Sequence, residues 1–201
     1  LSSLQPDIVL LYEGINDVHP RLFGTLARDY SNYRVPWRSD GWVLPVPVSW
    51  LRALGVYRLY YLQRHVLPLQ RAGIGGTPPR GHPPPPGWAA ALERNGPEVF
   101  EEHLRDLVRL VLAQGRRVVL LPQHFQVTNA RDAVFVHGVQ QHNEVDRRVA
   151  AELGVPFLAG LVAEGAFART DTFDNCHFNA AGSEKMAGYV DEFLQQQGLL
   201  R

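Results

Sequence analysis

The feature that most constrains the fold is an alternation of short apolar runs with segments of helical length. Residues 5–13 form a nearly continuous apolar run that ends at Gly14, which is typical of a strand buried on both faces. A second run, residues 117–122, follows a segment from Pro97 to Gln114 whose apolar residues recur at steps of three and four. Strands that alternate with helices predict βαβ units, and therefore an α/β fold with a parallel sheet.

The last third of the chain continues the alternation. A helix is expected over about residues 138–153, followed by a short strand candidate at residues 155–158. The last helix is expected to begin at Asn179, a favourable N-cap residue, and to continue to Gln197.

Composition excludes several classes of protein. The 201 residues suit one domain, and 20 basic against 20 acidic residues give no net charge, which argues against a nucleic-acid-binding protein. No apolar run approaches the ~18 residues of a membrane-spanning helix. Cys176 is the only cysteine, so neither an intrachain disulfide nor a multi-cysteine zinc site can form. No glycine-rich phosphate loop opens a helix, so no cofactor is expected.

A long excursion, residues 19–96, separates the first two predicted strands, and we expect it to be an insertion into a single domain spanning residues 1–201. Its second part, residues 73–87, is rich in proline and glycine and is not expected to form regular secondary structure. Its first part is rich in aromatic residues and contains Trp50 and Tyr57 at helical spacing. Packing is the ordinary explanation for this face; a lid lining an acyl or glycan pocket, or contact with a membrane surface, are the alternatives.

Two polar motifs follow predicted strands, where functional groups of parallel sheets collect. Gly14-Ile-Asn16-Asp17 follows the first strand, and Asp174-Asn-Cys-His177 precedes the last helix. A carboxylate three residues before a histidine can turn back and accept a hydrogen bond from the imidazole. The other ring nitrogen is then free to act as a general base.

These motifs, in this order and on these elements, resemble the SGNH, or GDSL-like, hydrolase family. The stretches from Arg147 to Phe157 and from His177 to Ser183 also look like the last third of that family. The resemblance implies a three-layer αβα sandwich with a flavodoxin-like parallel sheet. It further implies that His177 is the general base and Asp174 its orienting carboxylate. Asn16 would donate to the oxyanion, with Gly14 keeping the approach to it clear.

The family's nucleophilic serine lies in a Gly-Asp-Ser motif that this sequence does not contain. Ser2 and Ser3 precede the first strand, which places them at the opposite edge of the predicted sheet from His177. We therefore expect the serine in βα units upstream of Leu1, about 60 residues in all.

Other interpretations of single residues remain open. Asp171 is an alternative orienting carboxylate, and Asp17 is expected to be structural. His124 follows the second strand and is a candidate pocket-lining residue, together with Trp50 and Tyr57. The same loop also carries side chains of the kinds that bind metals: Asp171, Asp174, Cys176 and His177. Because it offers no further ligand pair, we expect no metal site.

The sequence thus predicts a serine-type ester hydrolase that forms an acyl-enzyme on a small-molecule, glycan or lipid ester. An acyltransferase using the same site is the nearest alternative. A non-catalytic binding protein with an SGNH-like fold is the alternative from another class. Acyl and alcohol specificity, compartment and oligomeric state do not follow from the residues.

Overall fold

The computed structural model describes residues 5–22, 25–30, 87–128 and 130–200. The chain divides into two compact units, one made of Leu1–Val18 with Gly96–Arg201 and the other of His19–Asn95. This division concerns compactness alone, so a single hydrolase domain with an insertion stays a prediction. Within the described residues, no helix is long and apolar enough to cross a membrane.

The regular elements alternate in the first unit much as the sequence predicts. In chain order the two strands and five helices of the described residues are β1 (Ile8–Leu11), α1 (Val18–Arg21), α2 (Trp88–Arg94), α3 (Glu98–Ala113), β2 (Arg117–Leu120), α4 (Ala130–Leu153) and α5 (Ala180–Gln196). Two 3₁₀ turns, Ala159–Val162 and Arg169–Asp171, lie between α4 and α5. Helix α4 begins eight residues earlier than predicted, whereas α3 and α5 lie within one residue of their predicted ends.

The strands β1 and β2 pair in parallel, from Ile8 opposite Arg117 to Leu11 opposite Leu120. The strand predicted at residues 155–158 is reduced to one parallel bridge between Leu120 and Phe157. Two hydrogen bonds flank the bridge, from Leu120 N to Pro156 O at 2.9 Å and from Leu158 N to Leu120 O at 3.0 Å. Pro156 has no N–H to donate, and the chain turns into a 3₁₀ helix at Ala159, so the ladder cannot lengthen.

The side chains of β2 alternate between two hydrophobic cores. Val118 and Leu120 pack with α3 and α4 in the first core, whereas Val119 and Leu121, the residue after the strand, pack with α5 and the 3₁₀ segment in the second. Because successive strand residues point to opposite faces, helices cover both faces of the sheet. The predicted α/β class, with its layer of parallel strands between helices, is confirmed.

Helix boundaries follow their local chemistry. Asn179 caps α5 by accepting a hydrogen bond from Gly182 N at 3.0 Å, as the sequence predicts. Helix α3 buries Phe100, Leu104, Val108 and Val111 along one face, and Gly115 follows it with φ +71°, a conformation that glycine adopts without strain.

The second unit is held partly by a buried arginine. Arg21 is 1% exposed and donates to Asn95 O at 2.7 Å and Leu92 O at 3.3 Å, while Asn95 Nδ2 donates to Arg21 O at 2.8 Å. Helix α2 was not predicted, because it directly follows the proline-rich stretch. Trp50 and Tyr57 lie outside the described residues.

Candidate active site

Asp174 is the centre of a compact hydrogen-bonded turn before α5. Its Oδ1 accepts the backbone N–H of Cys176 at 3.0 Å and that of His177 at 2.9 Å. The ring nitrogen Nδ1 of His177 lies 2.9 Å from Oδ2 and 3.0 Å from Oδ1. The carboxylate therefore fixes both the backbone of the turn and the imidazole ring.

This arrangement sets the ionisation of Asp174. Partial burial by itself raises the pKa of the carboxyl, but the backbone amides of Cys176 and His177 and the His177 ring outweigh it and hold the pKa below the ordinary 3.8. An ionised Asp174 requires a proton on His177 Nδ1, which leaves Nε2 as an acceptor. The His177 side chain is 75% exposed, against 25% for Asp174, so the imidazole remains accessible.

Two residues anchor the turn from outside through its backbone carbonyls. Arg169 Nη1 donates to Asp174 O at 2.6 Å, and Gln126 N donates to Asn175 O at 2.8 Å. The Gln126 side chain also donates to Ala168 O at 3.0 Å and accepts from Thr172 Oγ1 at 3.3 Å. Gln126 thus links the loop after β2 to the Asp174 turn, a role that the sequence prediction missed.

The loop after β2 is itself fixed by α4. Asn143 accepts from Gln123 N at 2.8 Å and donates to Gln123 O at 2.9 Å, so one side chain satisfies both backbone groups of Gln123. The position of Gln123 and Gln126 just after a predicted strand was the available sequence signal.

Gly14 follows β1 in a conformation that requires glycine. Its φ is +117°, and a Cβ added there would lie 3.1 Å from the Phe100 ring and 3.4 Å from His142 Cβ. Its carbonyl lies 2.8 Å from Nδ1 of the buried His142, whose ring stacks on Phe100 with centroids 4.2 Å apart. The backbone is therefore fixed two residues before Asn16.

Asn16 lies in the turn between β1 and α1, which Asp17 N closes by donating to Gly14 O at 3.2 Å. The side chain is exposed, and none of the described residues forms a hydrogen bond with its amide, which leaves the amide N–H groups available to an incoming oxygen. The oxyanion role of Asn16 and Gly14 stays a prediction.

Contacts join the loops that follow the two strands. The Tyr12 hydroxyl, just after β1, lies 3.3 Å from His124 N, just after β2. The same loop reaches Asn175 through Gln126. The Gly14 and Asp174 motifs thus belong to loops gathered at one edge of the sheet, the edge formed by the carboxyl ends of its strands.

His124 packs inside an aromatic cluster. Its ring lies 4.9 Å from that of Phe167 and 5.8 Å from that of Phe178. Burial lowers its pKa, although the charge of Asp171 opposes this, and Nε2 has no hydrogen-bond partner within the described part of the chain. Its predicted place in a substrate pocket stays a prediction.

Asp171 is engaged by other groups. It accepts Ala168 N at 2.7 Å and lies 3.0 Å from Lys185 Nζ, and these contacts lower its pKa. The geometry therefore favours Asp174 over Asp171 as the partner of His177.

Cys176 adds a thiol to the turn. Its Sγ lies 3.7 Å from Asp174 Oδ1 and 3.5 Å from His177 Nδ1. Burial and the neighbouring Asp174 raise the thiol pKa to about 12, so Cys176 is not an activated nucleophile.

A second carboxyl group lies buried behind this edge, on α4. Asp146 is 3% exposed, and its Oδ2 has no hydrogen-bond partner among the described residues. Burial, with a smaller contribution from the charge of Glu13, raises the pKa of Asp146 to about 8. The pKa of Glu13 is itself raised by partial burial and by Asp17. Sequence patterning missed Asp146 because it lies within an amphipathic helix.

A cavity of about 290 Å³ lies at the opposite edge of the sheet, by the first residues of both strands. It is lined by Asp7, Ile8, Arg117, Leu199 and Leu200. None of the predicted site residues borders it.

Comparisons with known proteins add little. No protein-family model matches the chain, and a search of curated proteins found no match. The fold is similar to that of LAE5, described as an alpha/beta hydrolase enzyme from the metagenome of Lake Arreo, Spain, with a TM-score of 0.48 and 20% sequence identity. The match covers 100% of this chain and 64% of LAE5, so the chain spans less than two thirds of that protein. A likeness this distant carries no conclusion on family or activity.

Proposed function

We propose that this chain carries the Asp–His pair of a serine-type ester hydrolase of the SGNH kind. The observation that carries the proposal is the Asp174 carboxylate, held by two backbone amides and paired with Nδ1 of an exposed histidine. This arrangement suits general-base catalysis by the histidine, because the carboxylate fixes the tautomer and stabilises the imidazolium that forms.

In the proposed reaction a serine hydroxyl attacks the ester carbonyl and its proton passes to His177 Nε2. Asn16 donates a hydrogen bond to the oxyanion of the tetrahedral intermediate. The intermediate collapses when the alcohol leaves with the proton held by His177. Water then attacks the acyl-enzyme, again with His177 as base, and releases the acid and the serine.

The proposal requires a serine that the described residues do not bring to His177. None of the described residues forms a hydrogen bond with His177 Nε2, so this nitrogen is available to a hydroxyl. Identifying the serine is therefore part of the test.

The test is fluorophosphonate labelling of the longest naturally expressed form, with mass spectrometry to locate the modified residue. We expect one labelled serine, hydrolysis of short-chain esters, and loss of both in His177→Ala. His103→Ala is the matched control, because His103 is an exposed histidine on α3.

Three results would contradict the proposed hydrolase. Ester hydrolysis that survives in His177→Ala would remove the general base from the mechanism. Complete absence of labelling and hydrolysis in a folded natural protein would favour the non-catalytic alternative. Faster acyl transfer to an added alcohol or sugar than to water would make the same site that of an acyltransferase.

A further inference from the structure

Three different metal-ligand groups converge on the Asp174 turn. The carboxylate of Asp174, the thiol of Cys176 and the imidazole of His177 each present a donor atom, and these atoms all lie within 4.8 Å of one another. Although no metal site is expected from the sequence, we propose from this geometry that the turn binds a thiophilic divalent cation of the zinc class, and that the bound cation inhibits the hydrolase. The inhibition rests on the proposed function, whereas the binding does not.

The distances between the donor atoms suit a tetrahedral ion. Zinc binds thiolate, imidazole and carboxylate at roughly 2.0–2.3 Å, which separates neighbouring ligand atoms by about 3.3–3.6 Å. In the structure, Cys176 Sγ lies 3.5 Å from His177 Nδ1 and 3.7 Å from Asp174 Oδ1. His177 Nδ1 lies 3.0 Å from the same carboxylate oxygen, Asp174 Oδ1. Shifts of a few tenths of an ångström would complete one face of the tetrahedron, and water takes the fourth position.

The donor set selects the class of ion. One sulfur, one imidazole nitrogen and one carboxylate oxygen favour zinc, cobalt and related ions, whereas magnesium and calcium prefer oxygen ligands alone. The Asp174 carboxylate is fixed by the amides of Cys176 and His177. The turn is anchored further through Arg169 and Gln126. Ordering the ligands therefore costs little when the ion binds.

The ion inhibits the enzyme because it binds Nδ1 of the His177 ring. Without the ion, Nδ1 carries the proton that faces Asp174, and Nε2 accepts a proton from the nucleophile. With the ion on Nδ1, the ring proton moves to Nε2, and the thiol proton passes to solvent as the metal–sulfur bond forms. Water ligands leave the ion, and no electrons are exchanged. His177 Nε2 becomes a donor and can no longer act as the base.

The test uses the natural protein, kept reduced and freed of metal, with Co²⁺ as a spectroscopic probe and Zn²⁺ in calorimetric titrations. We expect one ion per chain and a thiolate-to-cobalt charge-transfer band. In Cys176→Ser the band disappears and zinc affinity falls at least about tenfold, since the soft ligand is lost. Glu184→Gln, which removes an exposed carboxylate from α5, should leave both unchanged.

The activity arm separates the two proposals. Added zinc should abolish ester hydrolysis by the wild type relative to its own metal-free rate, whereas Cys176→Ser should keep its own metal-free rate when zinc is added. Absence of the charge-transfer band in the wild type overturns the metal site, whatever the activity. Equal inhibition by zinc in wild type and Cys176→Ser overturns the proposed inhibition at this turn. A cobalt band in a protein that hydrolyses no ester leaves the metal site standing and removes the proposed function.

Discussion

Two carboxyl groups of the first unit, Asp174 and Asp146, have pKa values shifted in opposite directions. Asp174 accepts two backbone amides and an imidazole, which hold its pKa below 3.8 although it is partly buried. Asp146 is buried on α4, its Oδ2 has no hydrogen-bond partner within the part of the chain that the structure describes, and its pKa rises to about 8. At Asp174 the hydrogen-bond donors outweigh partial burial, whereas at the more deeply buried Asp146 burial dominates and raises the pKa.

The two carboxyl groups are also suited to different roles, one in catalysis and one in stability. A carboxylate that is always ionised can orient a histidine and stabilise its protonated form. A carboxyl that is protonated near neutral pH acts mainly on stability, because it ionises only at the cost of unpaired charge in the core. Substituting each residue by its amide therefore tests the comparison directly.

The largest expected effect is on catalysis by Asp174→Asn in the full-length natural protein. The amide cannot hold the proton of His177 Nδ1 as a carboxylate does, so the wrong tautomer is favoured and kcat should fall by about 10²–10⁴-fold. The measurement is steady-state hydrolysis of a short-chain ester.

Asp146→Asn is the matched control for that experiment. It makes the same chemical change in the same unit, at a side chain that forms no hydrogen bond with Asp174 or His177 among the described residues, and should change kcat less than about threefold. Equal losses in the two variants would show that Asp174 acts through folding and that the two carboxyls do not differ in their part in catalysis.

The second prediction concerns stability, and here the larger effect is expected from Asp146. Because the folded pKa of Asp146 is about 8 and its ordinary value 3.8, the folded chain holds a proton that the unfolded chain has lost between these pH values. The free energy of unfolding should therefore fall as pH rises from 4 to 8, by at most about 1.4 kcal/mol per pH unit. In Asp146→Asn this contribution disappears. Denaturant unfolding at several pH values measures it.

Glu13 also contributes to the dependence of unfolding free energy on pH, because its pKa is raised as well and its contribution has the same sign. Asp106→Asn, at an exposed position on α3, is the control for loss of a surface carboxylate and should keep the wild-type slope. A wild-type slope in Asp146→Asn would mean that the buried carboxyl is already ionised, against the structure.

Local sequence chemistry explains what could be predicted. Apolar runs and helical periodicity placed β1, β2 and α3 because each buries a face whose pattern is visible in consecutive residues. The spacing of Asp174 and His177 predicted the hydrogen bond between their side chains, since both residues lie on one turn. Asn143 and Gln126 were missed because their partners are backbone groups of distant loops, and side-chain patterns carry no record of those contacts. Asp146 was missed for a related reason: its ionisation depends on burial and on the charge of Glu13, and both are set by the three-dimensional packing.

The smallest expected effect tests how the ionised carboxylate is kept in place. Gln126→Ala removes the side-chain hydrogen bonds to Ala168 O and Thr172 but keeps the backbone N–H that holds Asn175. Each such bond contributes about 1 kcal/mol to holding the segment that carries the Asp174 turn. Without them the turn is expected to shift modestly, which should lower kcat by roughly tenfold and leave KM little changed. Gln140→Ala, at an exposed position on α4, is the control. If kcat is unchanged in Gln126→Ala, the two amides on Asp174 suffice to hold the pair, and its order is set within the turn itself. A loss as large as that of Asp174→Asn would instead place the control of the carboxylate in the loop after β2.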